Sequence, residues 1–373
     1  MTMKKTVWAL AVGSALSALP AWAGEIQVAV VGPMTGQLAA IGDQFRNGAQ
    51  AAVDAINAAG GVNGDTLKLL VEDDQCDPKQ AVSVANRLVG EGVLFVDGHA
   101  CSGASIPASA VYAENGVVMM SPASSNPALT DEAAAKGWTT IMRLYTRDDA
   151  QGEFLGPWLA ERYKDKKIFV LHDKSPYGQG LATAVKDSFE KAGGKTIGFE
   201  GINPGEKDYN ALVIKLKDLA PDLVYFGGYH PEAGLILRQA ADQGFKLNLM
   251  MGDSIASPEF WAVAGPAGEG TMFTFPADPQ QRPEAAAAVE AIKAKGFQPE
   301  GFTLFAYATI QAFAAGIERA GTAADGTAVA AALKDGKPVD TIIGPVTFDQ
   351  KGDIVGAKYD INVWHDGKYA KMN

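Results

Sequence analysis

The stretch GVLFVDGHACSGASIPAS, from Gly92 to Ser109, contains the change of pattern that decides the fold. Its first half is a short β-rich apolar run, which is typical of a buried strand, and a helix is expected to begin near Ser102. Residues 98–109 also contain a histidine, a cysteine and three serines. A strand that leads into a helix through a polar junction is the repeating unit of a parallel α/β sheet.

Short apolar runs alternate with helix-length amphipathic segments through most of the chain. One helix is expected from about Asp43 to Ala59, and Asp77 caps a second helix that has Pro78 in its first turn. Strands are expected in the runs IQVAVVGP, LKLLVED, VLFVDGH, GVVMMSP, KIFVLHD, DLVYFGG and LNLMMGD. This alternation predicts an α/β fold in which helices cover both faces of a parallel sheet.

The alternation falls into two blocks. The first extends to about Leu144, and the second opens with KKIFVLHD and closes near Phe273. Two helical segments follow, and the carboxyl-terminal end alternates like antiparallel strands. About 350 mature residues exceed what a single core usually supports. We therefore expect two doubly wound lobes, whose facing strand ends enclose a ligand cleft.

Residues 1–23 have the pattern of a cleaved secretory signal. Two lysines precede an apolar run from Val7 to Leu19, and Ala-Trp-Ala stands immediately before Gly24. The run is shorter than a transmembrane helix, so an uncleaved anchor is the less favoured alternative. The mature protein is expected to begin near Gly24 and to be soluble outside the cytoplasm.

The charge of the chain limits its partners. The sequence has 32 Lys and Arg against 43 Asp and Glu, a net charge of −11, and loss of the two signal lysines makes it −13. So acidic a surface repels phosphate backbones and anionic lipids. Nucleic acids and membrane surfaces are therefore not expected as partners.

The two cysteines, Cys76 and Cys101, are expected in an oxidising compartment, where an even number favours a disulfide. Each follows a run typical of a buried strand. If these strands are parallel neighbours, both cysteines emerge at the same sheet edge. A bonded sulfur is not a resting nucleophile, which argues against a cysteine protease.

The sequence contains no established catalytic motif: G-x-S-x-G, G-x-x-x-x-G-K-[ST] and H-E-x-x-H are all absent. Gly178 and Gly180 form an isolated G-x-G that a tight strand-to-helix turn explains better than a dinucleotide site. The four histidines are far apart in sequence and lack metal-ligand spacing. We therefore predict that the protein is not an enzyme and uses no metal or cofactor.

Polar groups at the predicted strand ends suit a small zwitterion. Ser102 stands at the start of a helix, and Ser124 and Ser125 stand at a similar junction, where hydroxyl and N–H groups can receive a carboxylate. The Ala123 carbonyl can accept a hydrogen bond from an ammonium group, and Asp253 can neutralise its charge.

Two tyrosines, Tyr177 and Tyr229, have flat apolar faces that can close over such a ligand. Taken alone, each serine fits a helix cap as well as a ligand contact, and Asp253 fits an N-cap. The combination carries more information than any single residue.

The chain resembles the periplasmic branched-chain amino acid binding proteins of ABC transporters over its whole mature length. The motifs that carry the resemblance are IQVAVVGPMTG, DQCDPKQAVSVANRLV, GHACSGASIPAS, HDKSPYGQGLA, YFGGYHPEAGLILRQA and GPVTFDQKGD. Several are long, and together they are highly specific. The resemblance implies the type I periplasmic binding protein fold, in which two lobes close on a ligand.

The resemblance also implies roles for individual residues. Cys76 and Cys101 would form the family's disulfide. Ser102 and Ser125 would bind the α-carboxylate of the ligand. The Ala123 carbonyl, the Ser125 hydroxyl and an acidic residue would bind the α-ammonium group, and the two tyrosines would supply aromatic contacts from the second lobe.

Three positions depart from the family's pattern. Ser125 replaces a threonine and keeps the hydroxyl, and Asp253 is matched to a residue that is commonly glutamate. Ile41 occupies a position that is typically aromatic and lines the side-chain pocket. Loss of that aromatic wall reshapes the pocket for the ligand's side chain.

Three chain crossings are implied between the lobes, near Tyr145, Pro276 and Gly356, and together they form the hinge. The amino-terminal lobe would comprise residues 24–145 and 276–356, and the carboxyl-terminal lobe residues 146–275 and 357–373. The resemblance further implies a periplasmic monomer that delivers a neutral, branched-chain or other aliphatic L-amino acid to an inner-membrane permease.

Other functions remain open at the level of sequence. The same fold could bind an aromatic acid, an amide or a GABA-like amino acid, although Asp253 beside the serines argues against a simple anion. A secreted hydrolase using Ser102 or Cys101 is a second class. A sensor domain that presents its ligand-bound form to a receptor is a third.

Overall fold

The structure is a computed structural model that describes residues 24–356 and 358–372. The predicted signal segment, residues 1–23, lies outside the described residues. The strands are β1 Glu25–Gly32, β2 Thr66–Asp73, β3 Phe95–Gly98, β4 Val118–Ser121, β5 Ile141–Arg143, β6 Ile168–His172, β7 Thr196–Gly201, β8 Leu223–Gly227, β9 Leu249–Met251, β10 Met272–Pro276, β11 Val339–Thr341, β12 Gly344–Val346, β13 Tyr359–His365 and β14 Lys368–Lys371.

The α-helices alternate with these strands. They are α1 Ala39–Ala58, α2 Pro78–Gly90, α3 Ser102–Glu114, α4 Ala128–Ala135, α5 Asp148–Tyr163, α6 Pro176–Lys191, α7 Asn210–Leu219, α8 His230–Asp242, α9 Pro258–Ala264, α10 Ala286–Ala294, α11 Thr303–Ala320 and α12 Gly326–Leu333. Short 3-10 turns lie at Asp253–Ile255, Gly265–Gly268, Pro279–Gln281 and Pro283–Ala285.

Two large sheets organise the molecule. The first has the order β2-β1-β3-β4-β5 and is parallel throughout. The second has the order β7-β6-β8-β9-β10-β13-β14; its pairings are parallel up to β10, and β13 and β14 add antiparallel pairings. The predicted α/β fold with two parallel-sheet lobes is confirmed.

Helices cover both faces of each sheet. Apolar side chains of α2, α3 and α4 form one core layer on the first sheet, and α1 and α11 pack on its other face. On the second sheet, α5 and α6 cover one face, while α7, α8 and α9 cover the other. The late helices α11 and α12 therefore return to the first sheet, as the order of segments predicts.

Every quoted strand run forms a strand, but those runs do not include β5, β7 and β10. The helix expected from about Asp43 begins earlier, at Ala39. The turn before Asp43 is helical because Ile41 is buried there against the core. Asp77 caps α2 as predicted, and its side chain accepts from the N–H groups of Lys79 and Gln80.

The predicted disulfide between Cys76 and Cys101 is confirmed, with Cα atoms 5.5 Å apart. The strands that precede the two cysteines are not neighbours, since β1 lies between β2 and β3. The cysteines meet because the loop after β2 folds over the end of β1, where the Asp74 N–H donates to the Gly32 carbonyl at 3.0 Å.

The chain passes between the two sheets after β5, after β10 and before β13. The lobe boundaries drawn from the resemblance stay a prediction, and Ala357 and Asn373 lie outside the described residues. Over residues 24–356 and 358–372, no helix combines the length and apolar character needed to cross a membrane.

Candidate functional site

A small cavity of about 20 Å³, partly open to solvent, lies between the carboxyl ends of the two sheets. In a parallel sheet with this strand order, the first and third strands along the chain are neighbours, and the connections that follow them run to opposite faces of the sheet. This opens a crevice between the two strands. Here those strand pairs are β1 with β3 and β6 with β8. The lining residues are Ile41, Ala100, Cys101, Ser102, Ala123, Tyr177, Tyr229, Asp253, Ser254 and Phe302.

The structure brings together six of the eight residues predicted to bind the ligand. Ser102, Ala123, Tyr177, Tyr229, Asp253 and Ile41 all line the cavity. The other two, Ser124 and Ser125, lie directly behind this lining, next to Ala123 in the chain.

Ser102 is the first residue of α3 and follows β3 through His99–Cys101. Its side chain is buried, and its oxygen accepts from the Asn126 N–H at 3.2 Å. The first N–H groups of a helix lack partners within the helix and attract negative charge. The amino terminus of α3 therefore offers the cavity a hydroxyl and unpaired N–H groups at one point.

Ser124 and Ser125 follow β4 but have different surroundings. The Ser124 hydroxyl donates to the carbonyls of His99 and Ala100, at 3.1 Å each, so it is occupied within the first lobe. The Ser125 hydroxyl is buried and makes no hydrogen bond of normal geometry, although it lies close enough to the Asp148 carboxyl group to lower the pKa of that group. Ser125 therefore keeps a free polar group beside the cavity, and Ser124 shapes the segment.

Asp253 enters the cavity after β9, at the start of a short 3-10 turn. The Tyr177 hydroxyl donates to Asp253 Oδ1 at 2.7 Å, while Oδ2 is buried without a partner. Burial raises the pKa of the Asp253 carboxyl to about 6, against hydrogen bonds that lower it. One carboxylate oxygen is thus available to a donor inside the cavity.

A second buried carboxylate, Asp148, was not predicted as a site residue. It begins α5, its N–H donates to the Ser125 carbonyl at 2.9 Å, and both of its carboxyl oxygens are buried without partners. Burial raises its pKa to about 8, the Ser125 hydroxyl lowers it, and the charge of Asp253 raises it further. Ser125, Asp148 and Asp253 therefore form one cluster of polar groups without enough donors.

The aromatic wall comes from both lobes. Tyr177 is the second residue of α6 and Tyr229 precedes α8, and their ring centroids lie 5.2 Å apart. Phe302 precedes α11 and packs against Tyr145, with ring centroids 5.3 Å apart. Phe302 was not predicted as a site residue; the signal that could have revealed it is an aromatic residue at the start of a long apolar helix.

Gly178 and Gly180 do not form a nucleotide-binding loop. A side chain at Gly178 would come within 2.5 Å of the Gly227 carbonyl oxygen, so α6 can start against β8 only with glycine there. A Cβ atom at Gly180 would lie 2.5 Å from Asn126 Nδ2. The G-x-G therefore serves close backbone packing, as the sequence indicates.

His99 cannot serve as the base of a hydrolase that uses Ser102. Its Nδ1 lies 2.7 Å from Asp74 Oδ2 and its Nε2 lies 3.1 Å from the Tyr112 hydroxyl, so both ring nitrogens are occupied. Cys101 is held in the disulfide. Among the residues that the structure describes, no group of three His, Cys, Asp or Glu side chains is placed to hold a metal ion.

The two lobes touch at the edge of the cavity. Asn126, from the segment after β4, donates from Nδ2 to the carbonyl oxygen of Pro176 at 2.6 Å. Pro176 is the first residue of α6, on the second lobe. The structure thus has the two lobes in contact, with groups from both sheets around one cavity.

Comparison with known proteins agrees with this geometry. The family model described as Periplasmic binding protein matches residues 25–368. The Leu/Ile/Val-binding protein homolog 2 of Brucella abortus is 46% identical over 375 residues, which cover 100% of this chain and 99% of that protein.

Two solved structures of similar proteins superpose closely. The leucine binding protein LivK of Thermotoga maritima has a TM-score of 0.84 at 28% identity, covering 93% of this chain and 98% of its own. LivJ of Streptococcus pneumoniae, the branched-chain amino acid transporter substrate binding protein solved in complex with isoleucine, has a TM-score of 0.82 at 27% identity, covering 92% and 97%. The chain therefore belongs to the periplasmic binding protein family and has its type I fold.

Proposed function

We propose that this protein is the substrate-binding component of an ABC importer and that it captures a neutral, branched-chain or other aliphatic L-amino acid. The observation that carries the proposal is the pairing of groups across one cavity. Hydroxyl and N–H groups of the first lobe face a buried carboxylate with a free oxygen on the second lobe. Such a pair complements both charged ends of a zwitterion.

The ligand's carboxylate would bind at the first lobe. Ser102 at the amino terminus of α3 and the unpartnered Ser125 hydroxyl supply donors, and the helix terminus supplies a favourable field. No full positive charge is required, because several donors to one carboxylate stabilise it as strongly as an ion pair does.

The ligand's ammonium group would bind where the acceptors have no partners. The Ala123 carbonyl, the Ser125 hydroxyl and Asp253 Oδ2 give three acceptors for three N–H donors. Asp148 adds a second carboxyl group next to Ser125; because burial raises its pKa to about 8, it is largely neutral at pH 7 and offers a further acceptor oxygen rather than a second charge. A ligand without an ammonium group would leave these oxygens unsatisfied.

The side chain of the ligand would point to the apolar wall formed by Ile41, Phe302 and the ring of Tyr229. The relative from Brucella is named for leucine, isoleucine and valine, and the structure from Streptococcus holds isoleucine. These names support an aliphatic ligand for this chain. Ile41 has a narrower side chain than an aromatic residue, and it can rotate. We therefore expect Ile41 to influence which aliphatic amino acid the protein prefers.

Transport follows from closure of the two lobes. The lobes, residues 24–145 with 276–356 and 146–275 with 357–373, would close over the ligand and present the closed form to the permease. We further propose cleavage of the signal segment before Gly24 and a monomer in the periplasm. No step of this cycle requires a catalytic residue or a cofactor.

Calorimetry on protein freed of bound ligand by unfolding and refolding tests the proposal. We expect L-leucine, L-isoleucine or L-valine to bind, and 4-methylpentanoate, which is leucine without its ammonium group, to bind at least a hundredfold more weakly. Benzoate, an aliphatic amide and γ-aminobutyrate serve as comparison ligands. Binding of 4-methylpentanoate as tightly as leucine, or preference for a comparison ligand, would contradict the proposal.

A further inference from the structure

A buried arginine, Arg143, lies directly behind the serine segment of the site. It is the last residue of β5 and its side chain is fully buried. Nη1 donates to the carbonyl oxygens of Ser124 at 2.9 Å and Asn126 at 3.1 Å, the two residues that flank Ser125. The guanidinium group therefore holds the backbone on both sides of a proposed ligand-binding hydroxyl.

The partner of Arg143 comes from a distant part of the chain. Nε donates to Asp353 Oδ1 at 2.5 Å, and Nη2 donates to the Thr130 hydroxyl at 2.7 Å. Asp353 is itself buried and also accepts from Arg147 Nη1 at 2.9 Å. A carboxylate some 200 residues away in sequence thus neutralises and orients the arginine.

The approach of this distant segment depends on Gly352. The Arg143 N–H donates to the Gly352 carbonyl at 2.9 Å. Gly352 has φ of +98°, and a Cβ atom there would lie 2.6 Å from the Ile141 carbonyl oxygen. Only glycine allows Asp353 to reach Arg143, so a specific backbone conformation supports the pair.

Burial of two charges is costly, and a buried ion pair is weak evidence for stability by itself. The role of the Arg143–Asp353 pair is therefore inferred from the backbone groups that it orients. A trans peptide points its C=O and its N–H in opposite directions. Because the Ser124 carbonyl points at Arg143, the N–H of Ser125 points away from Arg143.

We propose that Arg143 and Asp353 are positioning residues, which fix the segment Ala123–Asn126 in its ligand-binding conformation without touching the ligand. This inference rests on the proposed function for the role of Ser125. Lysine cannot replace Arg143 in this role, because a single ammonium group lacks the planar fork that spans two carbonyls, a carboxylate and a hydroxyl.

A double-mutant cycle on L-leucine affinity tests the inference. We expect Ser125→Ala to weaken binding about tenfold, and Arg143→Lys to weaken it about tenfold. If Arg143 acts through Ser125, the double variant is also about tenfold weaker, since Ser125→Ala costs nothing more once the segment is misplaced. Independent effects would multiply to about a hundredfold, and that result would overturn the inference.

Two further measurements separate positioning from general destabilisation. Asp353→Asn keeps the shape of the side chain, and in a double-mutant cycle with Ser125→Ala it is expected to give the same result as Arg143→Lys. It therefore tests the inference even if the lysine variant folds poorly. Lys351→Met, in the same segment, removes only an exposed pair with Asp131 and should leave affinity unchanged.

Hydrogen exchange of the ligand-free protein gives a readout that does not depend on the ligand. Arg143→Lys is expected to speed exchange of the Asn126 amide, which donates to Ser102, about tenfold, whereas Lys351→Met should not. Unchanged exchange would contradict the inference. Failure of the unmodified protein to bind any amino acid would instead contradict the proposed function, while exchange still decides the role of Arg143.

Discussion

At the residue scale, Asp253 places its carboxyl group in the cavity with one oxygen bound by Tyr177 and the other free. Asp148 lies near it with both oxygens free, and the Ser125 hydroxyl lies beside Asp148. Unpartnered buried oxygens are costly in a folded protein, and the chain's own donors nearby are the hydroxyls of Ser125 and Tyr145, so further donors from a ligand would stabilise the cluster. An ammonium group supplies three.

Asp253→Asn tests the ammonium contact directly. The amide keeps the size of the side chain but removes the charge that faces the ligand. We expect L-leucine affinity to fall about a hundredfold, corresponding to the ~2–5 kcal/mol lost when one partner of a buried charge pair is removed. Calorimetry measures the change.

The matched control for this substitution is Asp149→Asn. Asp149 is half-exposed and paired with Arg147 at the surface, so its loss should leave affinity within about twofold. Equal effects of the two substitutions would contradict the assignment of Asp253.

The pH dependence of binding follows from the same carboxyl group. Burial raises the pKa of Asp253 to about 6 in the ligand-free protein, and a bound ammonium group favours the ionised form. Below pH 6 the ligand must displace a proton, so affinity should increase about tenfold from pH 5 to pH 7. Asp148, with a pKa raised to about 8, stays largely protonated over this interval.

Calorimetry in buffers of different ionisation enthalpy would detect the released proton. Near pH 5.5 we expect release of about three-quarters of a proton per ligand, and Asp253→Asn should abolish it. A pH-independent affinity for leucine across this interval would show that Asp253 is already ionised or does not meet the ammonium group.

At the scale of elements, a site residue can be predicted from the sequence when the strand before it is long enough to be recognised as an apolar run. Ser102 follows the apolar run of β3, and Tyr177 and Tyr229 follow the runs of β6 and β8, so all three were placed at a sheet edge. Asp148 follows β5, which has only three residues, and it resembles the solvated acid of a first helical turn. Its burial depends on packing against other elements, which local pattern does not encode.

The disulfide is also a property of elements, because it joins the loops after β2 and β3 across the end of β1. It closes a loop with a sequence separation of 25 residues. In the chain-entropy model, its removal by Cys76→Ala with Cys101→Ala should lower the free energy of unfolding by about 3–4 kcal/mol. Urea unfolding of the ligand-free protein measures this change.

The variant lacking the disulfide should also bind leucine more weakly, since Cys101 precedes Ser102 at the start of α3. Chemical reduction of the unmodified protein should give the same loss of stability. A loss below about 1 kcal/mol would show that the unfolded chain is compact without the bond.

At the scale of the whole molecule, the order of segments predicts two doubly wound lobes and the return of late helices to the first sheet, because periodicity and segment length are local properties. The contact between lobes is not local. Asn126 reaches Pro176 only because Gly180 leaves room for its side chain, and nothing in the sequence near Asn126 indicates this. Closure geometry therefore requires the folded structure.

Asn126→Ala should act chiefly on the closed form. It also removes the Oδ1 that accepts from the Ala128 N–H at 2.9 Å, and Asn126→Asp keeps that acceptor while it loses the Nδ2 donor. Asn126 Nδ2 donates to the Pro176 carbonyl across the cleft, and this bond requires the two lobes to be in contact. In the proposed binding cycle the lobes meet after the ligand has entered. We expect leucine to dissociate about threefold to tenfold faster with an unchanged association rate, since one hydrogen bond contributes ~0.5–1.5 kcal/mol. Stopped-flow fluorescence gives both rates, and Asn86→Ala, which removes an exposed helical asparagine, is the control. A slower association rate with an unchanged dissociation rate would contradict this prediction. It would show that the contact between Asn126 and Pro176 forms before the ligand enters, so that the lobes meet without a ligand between them.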